Sequence, residues 1–186
     1  MKRHIIGETN AESSLRLPAK FFRQGALALA PQLLGKVLVR DFSHGKILRQ
    51  KITELEVYYG EEDLACHASK GRTPRTEVMY APGGLVYVYL IYGMYWMLNI
   101  VTGPKAHPQA ILIRSLEDIS GPGRVGKLLQ LDKSFYGEDL SKSQRLWLED
   151  APMISSSAMK VTPRIGIDYA QHCKEYLWRF LWLPGK

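Results

Sequence analysis

Apolar and polar positions along this chain change their period several times, and each change marks a new element. Gln24 to Leu34 reads as a short helix that stops at Gly35, with Pro31 placed to break its last turn. Lys36-Val37-Leu38-Val39-Arg40 and the alternating run Ile47 to Tyr58 predict two strands joined through Ser43-His44-Gly45. Side chains alternate along a strand, so Glu54, Glu56 and Tyr58 share one face while Leu55 and Val57 face the core. Gly60-Glu61-Glu62-Asp63 reads as a helix start, because first-turn carboxylates complement free N–H groups. That helix would carry Cys66 and His67.

Val78 to Pro104 holds no charged residue and is long enough to cross a bilayer as a helix. Pro82-Gly83-Gly84 opens it with a turn, however, Gly93 interrupts it, and its Val, Ile and Tyr content favours strands. Two strands meeting near Tyr92-Gly93-Met94 fit better than a membrane span. Farther on, Gly121-Pro122-Gly123 feeds a helix over Arg124 to Leu131, whose N-terminus is of the kind that can bind an anion. Strands follow at Arg145 to Glu149 and Arg164 to Ile167, then a helix near Tyr169 to Tyr176 and a last strand around Trp178 to Leu183. Strand runs with irregularly interspersed helices, without strict βαβ alternation, predict a single α+β domain. Its sheet is mostly antiparallel and curved, with surrounding helices and a protruding β-hairpin. Residues 1–16 are expected to form a frayed tail and residues 17–186 the domain; at 186 residues the chain suits one core rather than two.

Charge adds a partner class. Lysines and arginines exceed acidic residues by a formal +7, and the isoelectric point is about 9.4. Such a surface suits a polyanion, since basic side chains displace counterions from phosphates. Lys70-Gly71-Arg72-Thr73-Pro74-Arg75 is equally a solvated turn or a track for a phosphate backbone. The only cysteines, Cys66 and Cys173, form no CxxC pair, which argues against a zinc site or a disulfide framework and for a reducing compartment. The basic start Met1-Lys2-Arg3 is not followed by a long apolar region and does not read as a secretory signal.

Glu54 and Glu56 beside Tyr58 near a strand end suit a cleft in which one glutamate acts as a general base; the bland alternative is a solvated strand face. His67 is placed to reach the same cleft, although a lone histidine is more often structural. Tyr87 and Tyr89 share a strand face, and so many phenols in an uncharged hairpin each need a polar partner or water, which favours a surface that stacks on rings. Asn99 is the strong amide of the return strand, and Arg114 ends an apolar strand, either as an ordinary cation or as a group that orients an anion or a water.

Taken in order, Glu54-Leu55-Glu56-Val57-Tyr58 with Asp63 to His67, Leu85 to Tyr95 with Asn99, Ile111 to Glu117, Gly121-Pro122-Gly123 and Arg164 to Ile167 resemble the alkyladenine (3-methyladenine) DNA glycosylase family. The similarity runs from about Leu17 nearly to the C-terminus. It implies a monofunctional enzyme that flips alkylated purines such as 3-methyladenine and 7-methylguanine out of duplex DNA and hydrolyses the glycosidic bond, leaving an abasic site. Neutral lesions such as hypoxanthine or ethenoadenine would also need a proton donor for the leaving base. By resemblance Glu56 activates water and Arg114 helps hold it; Tyr58, His67 and Tyr89 line the base pocket; Asn99 disfavours normal guanine. Likewise, the backbone of Ile165 touches the water or base, and Tyr92, with Met94 beside it, fills the vacated place in the duplex. The resemblance further implies no cofactor or metal, double-stranded DNA carrying a damaged purine as partner, a monomer, and a location in the cytoplasm if bacterial or the nucleus if eukaryotic. Only Asp118-Ile119-Ser120 separates the segments ending at Glu117 and beginning at Gly121, a shorter connection than relatives commonly carry. The rivals are a catalytically silent lesion-binding protein and a membrane-associated hairpin protein.

Overall fold

The computed structural model describes residues 15–183, so the tail expected over residues 1–16 lies almost wholly outside the described residues. In chain order the elements are α1 (Ala19–Phe22), α2 (Ala26–Leu33), β1 (Val37–Asp41), β2 (Ile47–Tyr59), β3 (Val86–Ile91), β4 (Tyr95–Val101), β5 (Gln109–Leu116), β6 (Ile119–Ser120), α3 (Pro122–Leu128), β7 (Leu146–Glu149), β8 (Met159–Thr162) and β9 (Arg179–Trp182). β2 organises them by changing partners along its length. Its first half pairs with β1 and its second half with β5, while β9 takes the other edge at Glu54, Leu55 and Glu56. The sheet runs β3-β4-β5-β2-β1-β7 and is not closed; β6 folds back on β5, and β8 pairs with β9. Every named pairing is antiparallel, which makes this the expected single-domain α+β fold.

The alternation in β2 sorts its side chains as expected. Leu55 and Val57 are fully buried in the main core, where α2 residues Leu29 and Leu33 also pack. Pro31 lies inside α2 without ending it, and the Leu34 N–H still donates to the Ala30 carbonyl at 3.2 Å. The β3–β4 hairpin closes where the glycine pattern placed it. Tyr92 and Gly93 take φ of 52° and 69°, and the Met94 N–H donates to the Ile91 carbonyl at 3.2 Å. Two central residues at positive φ match the twist of the strands they join, and Gly93 holds that geometry without steric cost. Among the described residues no helix is long and apolar enough to cross a membrane. α3 sits directly on β4, because a Cβ at Gly126 would stand 1.9 Å from the Trp96 carbonyl oxygen.

Several expected elements differ. The segment from Gly60 does not open an α-helix: Gly60 is at φ 79°, and the Asp63 carboxylate accepts the backbone N–H of both Tyr59 and Ala65 at 3.1 Å, which folds a tight turn instead. His67 therefore starts a one-turn 3-10 helix, His67–Lys70, and Cys66 precedes it. Arg164 to Ile167 is a loop rather than a strand, since the Arg164 side chain is drawn into the core and Gly166 is at φ 73°. The helix near Tyr169 to Tyr176 is 3-10, spans Asp168–Glu175 and is interrupted at Gln171, at φ 49° and ψ −126°. The helix expected over Arg124 to Leu131 runs from Pro122 to Leu128.

Candidate active site

An irregularity in the β2–β5 ladder assembles the polar centre. Glu54 opposes Ser115 while Leu55 opposes Ile113, so Arg114 falls in the gap without a ladder partner. Consecutive residues of a regular strand point to opposite faces. Here both Arg114 and Ser115 reach Glu54, the kind of re-aiming that bulges supply. Arg114 Nε donates to Glu54 Oε1 at 3.0 Å and Ser115 Oγ to Glu54 Oε2 at 2.6 Å. From β9, Arg179 Nε donates to the same Glu54 Oε1 at 2.6 Å.

Glu56 has no exposed surface, and its carboxylate accepts three hydrogen bonds from three different parts of the chain. Arg114 Nη1 donates to Oε2 at 3.2 Å, the Tyr58 hydroxyl to Oε2 at 2.9 Å, and the Ile165 backbone N–H to Oε1 at 2.8 Å. The loop bringing Ile165 there is held by a buried pair: Arg164 Nη1 and Nη2 meet the Asp63 carboxylate at 2.6 and 2.8 Å and also donate to the carbonyls of Val57 and Cys173. Such fork-to-fork geometry fixes orientation as well as distance. The Arg164 guanidinium also lies 4.9 Å from the Tyr58 ring centroid and 5.0 Å from that of Trp178.

Beside this centre opens a cavity of about 430 Å³, lined among others by Tyr58, His67, Tyr89, Asn99, Arg114 and Ile165. That volume falls within the roughly 300–1,000 Å³ of small-molecule sites. With Tyr87 and Tyr92, eight of the residues singled out in sequence thus share one cavity, while Glu56 lies just behind its wall, in contact with Tyr58, Arg114 and Ile165. The His67 Nδ1 and the Tyr87 hydroxyl are 2.7 Å apart, and the His67 and Tyr89 rings meet edge-on with centroids 4.6 Å apart. Asn99 is buried with its amide nitrogen directed to the carbonyls of Tyr87 at 3.1 Å and Met97 at 3.4 Å. Tyr92 stands at the cavity rim and is 82 % exposed; Met94 is 65 % exposed and lies off the wall, two residues along the hairpin tip.

The electrostatics follow from burial. His67 is pushed down to about 4, first by burial and then by the Arg75 cation, so the imidazole is uncharged near neutrality. Burial raises the Tyr58 hydroxyl well above the usual phenol range, with the Glu56 carboxylate adding to it, and burial lifts Tyr89 to about 12. Both phenols are therefore neutral hydrogen-bond donors with electron-rich faces.

Sequence reasoning missed Arg75 and Tyr169, which also line the cavity, and the Asp63–Arg164 pair behind it. Arg75 was legible as part of a basic loop, but its place 5.1 Å over the Tyr89 ring was not. Its neighbour Arg72 is held by Glu77 at 2.6 and 2.7 Å. Tyr169, 69 % exposed, stands on the 3-10 segment expected to be a plain helix.

The model of the methylpurine-DNA glycosylase family matches residues 20–120 and 117–185. A protein of Psychrobacter cryohalolentis is 41 % identical, with 91 % of this chain and 92 % of the other covered. One of Methanocella arvoryzae is 40 % identical, with 88 % and 90 % covered. One of Myxococcus xanthus is 42 % identical, with 83 % of each covered. All three are provisionally named 3-methyladenine DNA glycosylase. With the family model spanning most of the chain and relatives this similar over most of their own length, the chain belongs to the methylpurine-DNA glycosylase family and is a DNA glycosylase.

Proposed function

We propose that this protein binds duplex DNA, extrudes an alkylated purine such as 3-methyladenine or 7-methylguanine into the aromatic cavity, and hydrolyses its N-glycosidic bond with a water activated by Glu56. The observation that carries this reading is the buried Glu56 carboxylate, held by Arg114, Tyr58 and the Ile165 N–H directly behind a cavity walled by Tyr58, Tyr89 and neutral His67. A carboxylate offers about four acceptor positions, and three are occupied, so one acceptor position of Glu56 is left without a protein donor. A base inside a duplex is out of reach of any side chain, so chemistry on it requires extrusion. A purine alkylated at N3 or N7 is cationic, and phenol faces attract it over a neutral base by roughly 0.5–2 kcal/mol per contact. His67, being uncharged, does not oppose it.

Such a cation leaves readily, so the enzyme's task is to orient water and stabilise positive charge developing on the sugar. Glu56 serves both ends. No lysine lines the cavity among the described residues, which supports hydrolysis over attack by an amine and thus an abasic site with an intact backbone. Free base released from DNA treated with a methylating agent tests the reading directly.

Tyr92, exposed at the hairpin tip, suits a wedge that enters from the minor groove and fills the place of the extruded base. Tyr92→Ala should lower affinity for lesion duplex by about tenfold or more, since base–aromatic stacking contributes roughly 1–3 kcal/mol. The rate from the already flipped state should stay within a few-fold. A fluorescent base analogue beside the lesion reports the flipping equilibrium. Flipping equal to wild type with a lowered unfolding temperature would make Tyr92 a packing residue.

Affinity for undamaged duplex should fall at least about tenfold between roughly 50 and 200 mM salt, the loss that release of about two phosphate contacts entails. Anisotropy titrations across that range measure it; a flat response would contradict phosphate-led binding by this +7 chain.

A further inference from the structure

The cleavage chemistry proposed above uses Glu56 and Arg114 but leaves Glu54 without a role, although Glu54 is the more heavily charge-paired of the two glutamates. It is 8 % exposed and accepts from Arg114, Arg179 and Ser115, each at 3.0 Å or less. Arg114 is thereby shared: its Nε faces Glu54 and its Nη1 faces Glu56. We propose that Glu54 is a positioning residue that divides the charge of Arg114 between two carboxylates, so that Glu56 is oriented by the guanidinium and yet keeps the basicity it needs to take a proton from water.

The alternative arrangement defines what is at stake. A guanidinium given wholly to one carboxylate favours its ionised form and weakens it as a base. With Glu54 present, one cation serves two anions, and Arg179 joins the cluster from β9 to make two cations for two anions. Arg179 is the cross-strand partner of Glu56 while its side chain turns to Glu54, so its charge lies on the same face as both. Burial opposes ionisation of Glu54, but the Ser115 hydroxyl, Arg179 and Arg114 outweigh it and hold the carboxyl below the usual carboxylate range. Glu54 therefore stays ionised at neutral pH.

The groups facing this pair come from every neighbouring element. From β5 there are Arg114 and Ser115, the latter also 3.2 Å from the Ser120 hydroxyl of β6; from β9, Arg179; from β2 itself, Tyr58. The Arg164 loop contributes the Ile165 N–H and the Arg164 charge, and β3 contributes the neutral Tyr89 phenol. Among these only Arg114 touches both carboxylates, which makes its division between them the adjustable quantity.

This inference rests on the proposed role of Glu56, and two variants with opposite expected signs test it. The readout is the single-turnover rate of base release from methylated duplex as a function of pH, whose acid limb reports the general base in its bound complex. Glu54→Gln removes the competing anion and gives Arg114 to Glu56, so the acid limb should move to lower pH by half a unit or more and the plateau rate should fall severalfold. Glu54→Asp should recover part of both. Arg179→Met leaves Glu54 to draw Arg114 away from Glu56, so the limb should move to higher pH. A role confined to folding would lower protein stability in both variants without moving the limb in opposite directions; limbs that stay put, or move the same way, overturn the proposal. Glu56→Gln separates the two levels of inference: near-wild-type base release by that variant refutes the general-base reading itself, whereas its loss together with unmoved limbs refutes only the role of Glu54.

Discussion

Replacing Glu56 by Gln is expected to lower the single-turnover rate of base release by about 100- to 10,000-fold, the range that general-base catalysis supplies. Affinity for lesion-bearing duplex should stay within a few-fold, because no residue that lines the cavity or forms the hairpin tip is replaced. The amide keeps the volume of the carboxylate and loses the lone-pair basicity. It also cannot satisfy all three native donors: Arg114 and Tyr58 both address Oε2, and the Ile165 N–H addresses Oε1. Whichever position takes the NH2 group brings donor against donor, and one unsatisfied buried donor costs about 1–3 kcal/mol. The variant should therefore unfold at lower denaturant concentration as well, and the rate has to be read where it is fully folded. A folded variant with activity within a few-fold of wild type would remove Glu56 from the mechanism.

The largest stability effect is expected at Asp63. Its side chain is about 1 % exposed and that of Arg164 fully buried, with two charged hydrogen bonds between them. Asp63→Ala leaves a guanidinium buried without its counter-ion, and breaking such a pair from one side costs about 3–5 kcal/mol. The same carboxylate takes the N–H groups of Tyr59 and Ala65, so the turn leading to His67 loosens with it. Base release should fall too, since Arg164 carries the loop whose Ile165 N–H meets Glu56. Urea unfolding monitored by tryptophan fluorescence measures the first effect, and single-turnover kinetics on the folded fraction the second. A loss below about 1 kcal/mol would mean that water replaces Asp63 and that the pair is not what holds the loop.

Much of this architecture was written in local patterns. β1, β2 and the β3–β4 hairpin follow from alternation and from Gly45 and Gly93 in turns that take positive φ, and they carry Glu56, Tyr58, Tyr89, Tyr92 and Asn99. What misled was chemistry spent elsewhere. Gly60 to Asp63 has the composition of a helix start, but Asp63 is engaged by Arg164 across 101 positions of sequence. No local period encodes such a pairing, and it converts an expected helix into a turn and an expected strand into a loop. The ladder irregularity that places both Arg114 and Ser115 on Glu54 is likewise invisible in one strand, because register belongs to the pair. In sequence, Glu54 therefore reads either as a general-base candidate or as part of a solvated strand face, and Arg114 equally as a strand-end cation.

Family membership rests on a match over residues 20–185, whereas the proposed chemistry rests on one carboxylate and the cavity before it. The most direct test incubates the full-length protein with duplex DNA treated with a methylating agent and identifies what leaves the DNA by chromatography, with the backbone examined before and after mild alkali. Free 3-methyladenine or 7-methylguanine, together with strands that stay intact until alkali breaks them at the abasic sites, is the expected result. Tight binding to the methylated duplex with no free base, or strand breaks that appear without alkali, would contradict hydrolysis by a Glu56-activated water.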